Sequence, residues 1–339
     1  MTKRSNAVYD VFKITLSLMV VGIHTSLFPK VLYPWLRLAV PLFFVMSSYF
    51  LFSKLDKVQK SEQKNVVKNY VKRNCSLYLF WLIVLLPVII SMRKWFLDGQ
   101  IMESILNFVK GLLFGSTFVA SWYISASVIA MLIVFFASKH LSSFQLLIAS
   151  FVVYATVCLR SSYMFLLDRN SWFAVVSEHY DNALNVSYNS FPVAVFWFSV
   201  GKCFAENKFK WSALTNIIVL AASMAGLYVE WFAVKHFSGE IKNDCYFMLI
   251  PTVIALFHYV KNRPPVCNDK AVMLRKMSTI IFVTHASVAF VVSHFFKRLM
   301  GLWNGLALYI ATVSVCLMIC LLIFALEKTK LFKWLKYSY

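Results

Sequence analysis

The sequence predicts an all-α, polytopic membrane protein. Of its 339 residues, 60% are hydrophobic and 17% are aromatic, and the mean hydropathy is +0.70. Soluble domains do not have this composition. Apolar stretches of about 20 residues, the length that crosses the hydrocarbon of a bilayer, recur along the chain. We therefore expect a single transmembrane domain over residues 1–339.

The apolar stretches predict ten spans. They lie near residues 8–27, 36–53, 76–92, 121–138, 144–160, 191–205, 213–234, 245–260, 278–296 and 303–326. The segment 101–115 is apolar but short, which favours a re-entrant or interfacial helix over an eleventh span.

The distribution of Lys and Arg predicts the orientation of these spans. With the N-terminus inside, the segments outside the spans, termini included, carry 22 Lys and Arg on the cytoplasmic face and 9 on the outer face. Cytoplasmic segments of membrane proteins are enriched in these residues, so both termini should be cytoplasmic. The net charge of +20 then reflects topology and contact with anionic membrane lipid, and it gives no argument for nucleic acid.

The first span carries three polar side chains on one face. Asp10, Lys13 and His24 follow helical spacing, and Lys13 and His24 are eleven residues, or about three turns, apart. Charged groups are costly in hydrocarbon and mark functional sites. His24 has the chemistry of a general base near neutral pH, although a membrane histidine also serves in interhelical hydrogen bonds.

Three further features are suited to ligands that bind on opposite sides of the membrane. Residues 54–73 carry seven Lys and Arg, which indicates either a lipid-facing charged loop or a site for a polyanion such as a nucleotide cofactor. Arg37 should return to the leaflet of His24, where it either stabilises an oxyanion or snorkels to headgroups. The outer segment 161–190 combines aromatic rings with carboxylates, a composition that suits carbohydrate as well as an ordinary polar loop.

Four sequence elements resemble the acyltransferase 3 family of integral membrane O-acyltransferases. They are the Lys13 to His24 spacing with Asp10 before it, the block from Val40 to Phe50 with Arg37 before it, Trp122-Tyr123, and the run from Ser278 to His285. The chain departs from the family pattern at three places. Ser48 replaces a Gly, Phe282 replaces a Tyr, and a second Arg after Lys72-Arg73 is missing.

The resemblance implies transfer of an acetyl group from cytoplasmic acetyl-CoA to a hydroxyl of an envelope glycan or lipid-linked sugar, in a bacterial cytoplasmic membrane. The chain is similar to the stand-alone branch of this family, which modifies O-antigen, capsule or enterobacterial common antigen. The implied catalytic residues are His24, Lys13, Asp10 and Arg37. The implied cofactor-binding residues are Lys13, Lys68, Lys72, Arg73, Trp122, Tyr123 and His285.

Other classes of function stay open at this stage. A transporter or flippase of a lipid-linked sugar or small solute also needs buried charges, and a non-catalytic partner in polysaccharide assembly is a third possibility. No spacing of metal ligands occurs in the sequence, so we expect no metal, and a homo-oligomer is possible.

Overall fold

A computed structural model describes residues 6–26, 30–93, 101–115, 117–168, 171–184, 190–238, 245–268, 270–300 and 305–339. The α-helices are α1 Ala7–His24, α2 Tyr33–Leu36, α3 Ala39–Leu55, α4 Lys60–Arg93, α5 Ile101–Phe114, α6 Ser121–Ala137, α7 Ser143–Arg160, α8 Trp172–Leu184, α9 Phe191–Ala205, α10 Ala213–Ser238, α11 Leu249–Lys261, α12 Ala271–Met300 and α13 Gly305–Glu327. Short 3-10 helices cover Lys30–Leu32, Met164–Leu166 and Lys333–Ser338. These described ranges contain no strand, which confirms the all-α prediction.

The helices divide by length into two groups. Within the described ranges, seven helical segments are long and apolar enough to cross a membrane, and α5, α6, α9 and α11 are shorter apolar helices. A helix lies at each of the ten predicted spans, and α5 coincides with the predicted short helix at 101–115. The chain is a multi-pass membrane protein, and the count of ten spans and their orientation stay predictions.

The basic segment 54–73 differs from the predicted loop. α3 continues to Leu55 and α4 begins at Lys60, so most of the basic residues lie on a helix of 34 residues. Lys has a high helix propensity, and the charged turns of α4 run directly into its apolar part. Likewise, much of the polar segment 161–190 forms α8, while Arg169 lies outside the described residues.

α1 and α12 lie side by side in parallel register. Ser17 and Ser278 hydrogen-bond through their hydroxyls at 2.6 Å, and the Ser278 hydroxyl also donates to the carbonyl of Lys13 at 2.9 Å. Seven residues later on both helices, the rings of His24 and His285 meet. Seven residues are about two turns, so one helix face makes both contacts and the serine pair fixes the register of the histidines.

α3 and α9 approach closely at Ser48. The Ser48 hydroxyl donates to the carbonyl of Phe198 at 2.5 Å. A Cβ built on Gly201 would lie 2.5 Å from the Val45 carbonyl oxygen. The glycine that permits this crossing therefore stands on α9, and the serine on α3 does not prevent close contact.

Candidate active site

The two membrane histidines form a pair. The ring centroids of His24 and His285 are 4.8 Å apart, with the planes inclined at 50°. His285 is 1% exposed, whereas His24 is exposed at the last residue of α1. The parallel register of α1 and α12 produces this contact.

The hydrogen bonding of His285 indicates its tautomer. Nδ1 lies 2.6 Å from the carbonyl oxygen of Phe282, so Nδ1 must carry the proton and donate. In the neutral ring Nε2 is then an acceptor. Nε2 is buried and has no hydrogen-bond partner among the residues that the structure describes, although buried polar atoms normally have one. A substrate proton is a suitable partner for this lone pair.

A large cavity, which we call the basic cavity, lies at the other end of α1. It has a volume of about 770 Å³, and its basic side chains are Lys13, Lys54, Arg73, Arg275 and Lys276. Asp10 also lines it, 2% exposed, with its Oδ1 3.9 Å from Nε of Arg275. Five cations around one carboxylate leave an excess of positive charge, which suits a polyanion.

Aromatic rings form part of the wall of the basic cavity. The rings of Tyr9 and Phe50 meet edge to face at 5.0 Å, and Nζ of Lys13 lies 5.3 Å from the Phe50 centroid. The Tyr339 hydroxyl accepts a hydrogen bond from Lys276 at 2.7 Å and donates to Glu327. Burial and the Glu327 carboxylate raise the pKa of Tyr339 well above its ordinary value, so the phenol stays protonated and the site keeps its positive charge.

The other predicted cofactor contacts on α4 have different positions. Lys72 lines an adjoining cavity of about 250 Å³ together with Arg73, Lys336 and Tyr339. Lys68 is exposed and lines neither cavity. Since Arg73 and Tyr339 belong to both cavities, Lys72 can contribute to one continuous anion site that Lys68 does not reach.

A small cavity of about 50 Å³ lies near the histidine end of α1. Arg37, Trp122 and Trp197 line it, together with Ile23, which precedes His24. The guanidinium of Arg37 stacks on the ring of Tyr33 at 4.3 Å. The buried indole N–H of Trp197 has no hydrogen-bond partner within the described ranges. This end of the site therefore offers donors to an oxygen-bearing ligand.

Four aromatic rings occupy the space beside the histidine pair. Tyr123 stacks on Phe44 at 4.5 Å and meets Phe282 at 4.8 Å, and Phe43 lies 5.2 Å from Phe282. The Tyr123 hydroxyl is 3.2 Å from that of Ser47. Phe282 is itself 6.0 Å from the ring of His285, so this cluster adjoins the histidine pair.

A profile described as an acyltransferase domain matches residues 6–324 of the chain. The chain belongs to the acyltransferase 3 family. The match covers nearly the whole membrane domain and includes each of the four elements that suggested the family from the sequence.

The chain is similar to curated proteins that are named as racemases. An amino-acid racemase of Enterococcus faecalis is 25% identical over 97% of this chain and 47% of its own length. A second amino-acid racemase of that species is 22% identical, over 74% and 35%. A serine/alanine racemase of Enterococcus gallinarum is 24% identical, over 72% and 35%. The chain thus spans less than half the length of these relatives, and no solved structure matches it.

The predicted site residues of this acyltransferase lie in two groups, one toward each end of α1. Asp10, Lys13 and Arg73 line the basic cavity, and Arg37 and Trp122 line the small cavity. His285, predicted as a cofactor-binding residue, contacts the ring of His24, and its role toward a cofactor stays a prediction. Among the described residues, no group of three His, Cys, Asp or Glu is arranged to hold a metal.

Sequence reasoning missed three contributors to the site. Arg275 and Lys276 counted only toward topology, because nothing local distinguishes them from other basic residues of the same segment. Trp197 resembled an ordinary apolar residue of its span. A tryptophan inside an apolar run does carry one signal, since its N–H needs a partner when buried.

Proposed function

We propose that this acyltransferase moves an acetyl group from cytoplasmic acetyl-CoA to a hydroxyl of an extracytoplasmic envelope glycan or lipid-linked sugar. The observation that supports this most is the arrangement along α1 and α12. A cation-rich cavity lies at one end of the helix pair and two adjacent imidazoles lie toward the other. Lys13 and His24, eleven residues apart, are separated by about 16 Å of helix.

The basic cavity suits the donor. Lys13, Arg73, Arg275 and Lys276 would bind the phosphates of CoA through charge-assisted hydrogen bonds. The neighbouring rings of Tyr9 and Phe50 offer apolar surface to the adenine. The thioester arm would then extend inside the protein toward the aromatic cluster, because its amides cannot face lipid.

The histidine pair suits the transfer step. His24 would accept the proton of the acceptor hydroxyl while that oxygen attacks the thioester carbonyl, and the tetrahedral intermediate would then release CoA as a thiolate. The thiolate takes up the proton from His24, so the base is regenerated. The lone pair on Nε2 of His285 would hold the acceptor hydroxyl or orient His24.

The small cavity suits the oxygen atoms of the reacting groups. Arg37 and the N–H of Trp197 are donors that line this cavity together with Ile23, the residue before His24, and such donors stabilise a developing oxyanion when they are pre-organised. Trp122 adds a ring that can stack on a sugar face. A glycan carries both the hydroxyl that would react and further hydroxyls that would bind these donors.

The names of the relatives favour a second candidate substrate. Proteins named amino-acid racemase and serine/alanine racemase contain a region similar to this membrane domain. A small amino acid is therefore a second candidate, either as a hydroxyl-bearing acceptor or as a transported solute. The same two-ended arrangement of charged groups would serve a transporter.

Mass analysis of envelope glycans tests the proposal. Cells that express the chain should show glycan with an added mass of one acetyl group, and cells that express His24→Ala at equal level should not. Equal acetylation in both strains would contradict the proposal. Uptake of labelled serine by proteoliposomes without acetyl-CoA would favour the solute transporter instead.

A further inference from the structure

A fourth cavity shares no lining residue with the three cavities described above. It has a volume of about 350 Å³ and is formed by the start of α10 and the end of α11, with Asn216, His258 and Arg263 among its polar lining residues. Trp211 and Tyr259 supply aromatic walls. The proposed acyl transfer uses none of these residues.

A buried amide oxygen in this cavity lacks a partner. Asn216 is 2% exposed, and its Oδ1 has no hydrogen-bond partner among the residues described. Leaving such a group unsatisfied is unfavourable, because on burial the amide oxygen loses its hydrogen bonds to water. Since Asn216 lines the cavity, a ligand with a hydroxyl or ammonium donor would satisfy it.

Arg263 lines the cavity, and its guanidinium is held against an aromatic ring. The guanidinium of Arg263 lies over the ring of Tyr259 at 3.9 Å, which fixes its plane. The amide nitrogen of Asn262 lies 3.0 Å from Nε2 of His258, and the imidazole is 5.5 Å from the Trp211 ring. A guanidinium held in this way is suited to a phosphate.

The apolar side of the cavity leads to the outer surface of the helix bundle. Ile217 lines the cavity and is 53% exposed, and Leu214 and Ile218 beside it on α10 are 68% and 58% exposed. In a multi-pass membrane protein such an apolar helix surface faces lipid. The cavity therefore combines a phosphate-binding cation, a buried acceptor and a lipid-facing exit.

We infer that this cavity binds the headgroup of a glycerophospholipid, with its phosphate at Arg263, a hydroxyl or ammonium donor at Asn216, and its acyl chains along Ile217. A volume near 350 Å³ is at the lower end of the range of small-molecule sites, which is suited to a headgroup whose acyl chains stay outside. The site favours phosphatidylethanolamine over phosphatidylcholine, because the two headgroups have the same net charge and the choline headgroup has no donor for Asn216.

Binding of defined lipids to the delipidated, detergent-purified protein tests the inference. Native mass spectrometry should show phosphatidylethanolamine binding about tenfold more tightly than phosphatidylcholine, the ratio expected when one buried acceptor gains its partner. Asn216→Leu should remove that preference. Arg263→Gln should weaken binding of both lipids, whereas Lys210→Gln, which removes an exposed charge near the cavity, should not.

Two arms of the experiment separate the alternatives. Glycerophosphoethanolamine, which has the same phosphate and ammonium group without acyl chains, should compete poorly, and full competition would mean a soluble phosphate ligand and overturn the lipid assignment. Equal binding of the two lipids by the unaltered protein would overturn it as well. This comparison needs no variant, so it stands even where Asn216→Leu does not fold.

Discussion

At the scale of single residues, His24 and His285 have different surroundings. His285 is buried with its Nδ1 committed to the Phe282 carbonyl, whereas His24 is exposed at the end of α1. An exposed imidazole beside a fixed one can exchange protons with an acceptor. The sequence predicted His24 as the base, and the partnership with His285 comes from packing between residues 261 positions apart.

His24→Ala should lower acetyl transfer by roughly 10²–10⁴-fold, the usual contribution of a general base. The fold should persist, because His24 is exposed at a helix end. Transfer of labelled acetyl groups by purified protein measures the loss. His140→Ala removes an exposed histidine from the turn after α6 and should leave transfer unchanged. A well-folded His24→Ala protein with normal activity would exclude His24 from the reaction.

Lys13 and Lys68 provide a matched pair of lysines. Lys13→Ala should weaken acetyl-CoA binding about tenfold or more, because Lys13 lines the basic cavity and a charged hydrogen bond is worth about 1.5–3 kcal/mol. Lys13→Arg should retain most of the affinity, since a phosphate partner requires charge first. Lys68→Ala should have little effect, because Lys68 is exposed outside both cavities. Calorimetry on detergent-purified protein measures the affinity of each variant for acetyl-CoA. If Lys13→Ala and Lys68→Ala bind acetyl-CoA equally well, the donor binds at a site other than the basic cavity.

At the scale of elements, hydropathy predicted the helices well, because apolar runs need no long-range information. It predicted less where charge and helix coincide. The basic turns of α4 were expected as a loop, yet helix propensity and continuity with an apolar stretch extend the helix to Lys60. The close crossing of α3 and α9 also escaped prediction, since the glycine it requires lies on the partner helix.

Gly201→Ala should destabilise the protein by about 1–3 kcal/mol, the usual result of overpacking. Its Cβ would approach a backbone carbonyl oxygen at 2.5 Å, and backbone of a packed helix cannot move aside easily. Gly226→Ala is the control, because a Cβ there meets the flexible side chain of Met248 at 3.1 Å. Thermal unfolding in detergent should show a lower Tm for Gly201→Ala than for Gly226→Ala, and equal midpoints would contradict the close α3–α9 packing.

At the scale of the whole molecule, family membership was accessible from the sequence, while the composition of the basic cavity was not. Arg275, Lys276 and Tyr339 follow Arg73 by about 200 residues or more, and only the fold brings them together. Charge counts placed these residues on one side of the membrane without showing that they share a cavity. The basic cavity and the small cavity lie at opposite ends of α1. Together with the charge count, they are the basis of the path that we propose for the donor.

Sidedness of the reaction in oriented proteoliposomes tests this path most directly. Acetyl-CoA supplied to the face of the basic cavity and a glycan acceptor supplied to the opposite face should give acetylated acceptor. His24→Ala vesicles of the same orientation should give none. Acetyl-CoA supplied only to the opposite face should be inactive. Transfer that occurs only when donor and acceptor share one face would contradict a site reached from both ends.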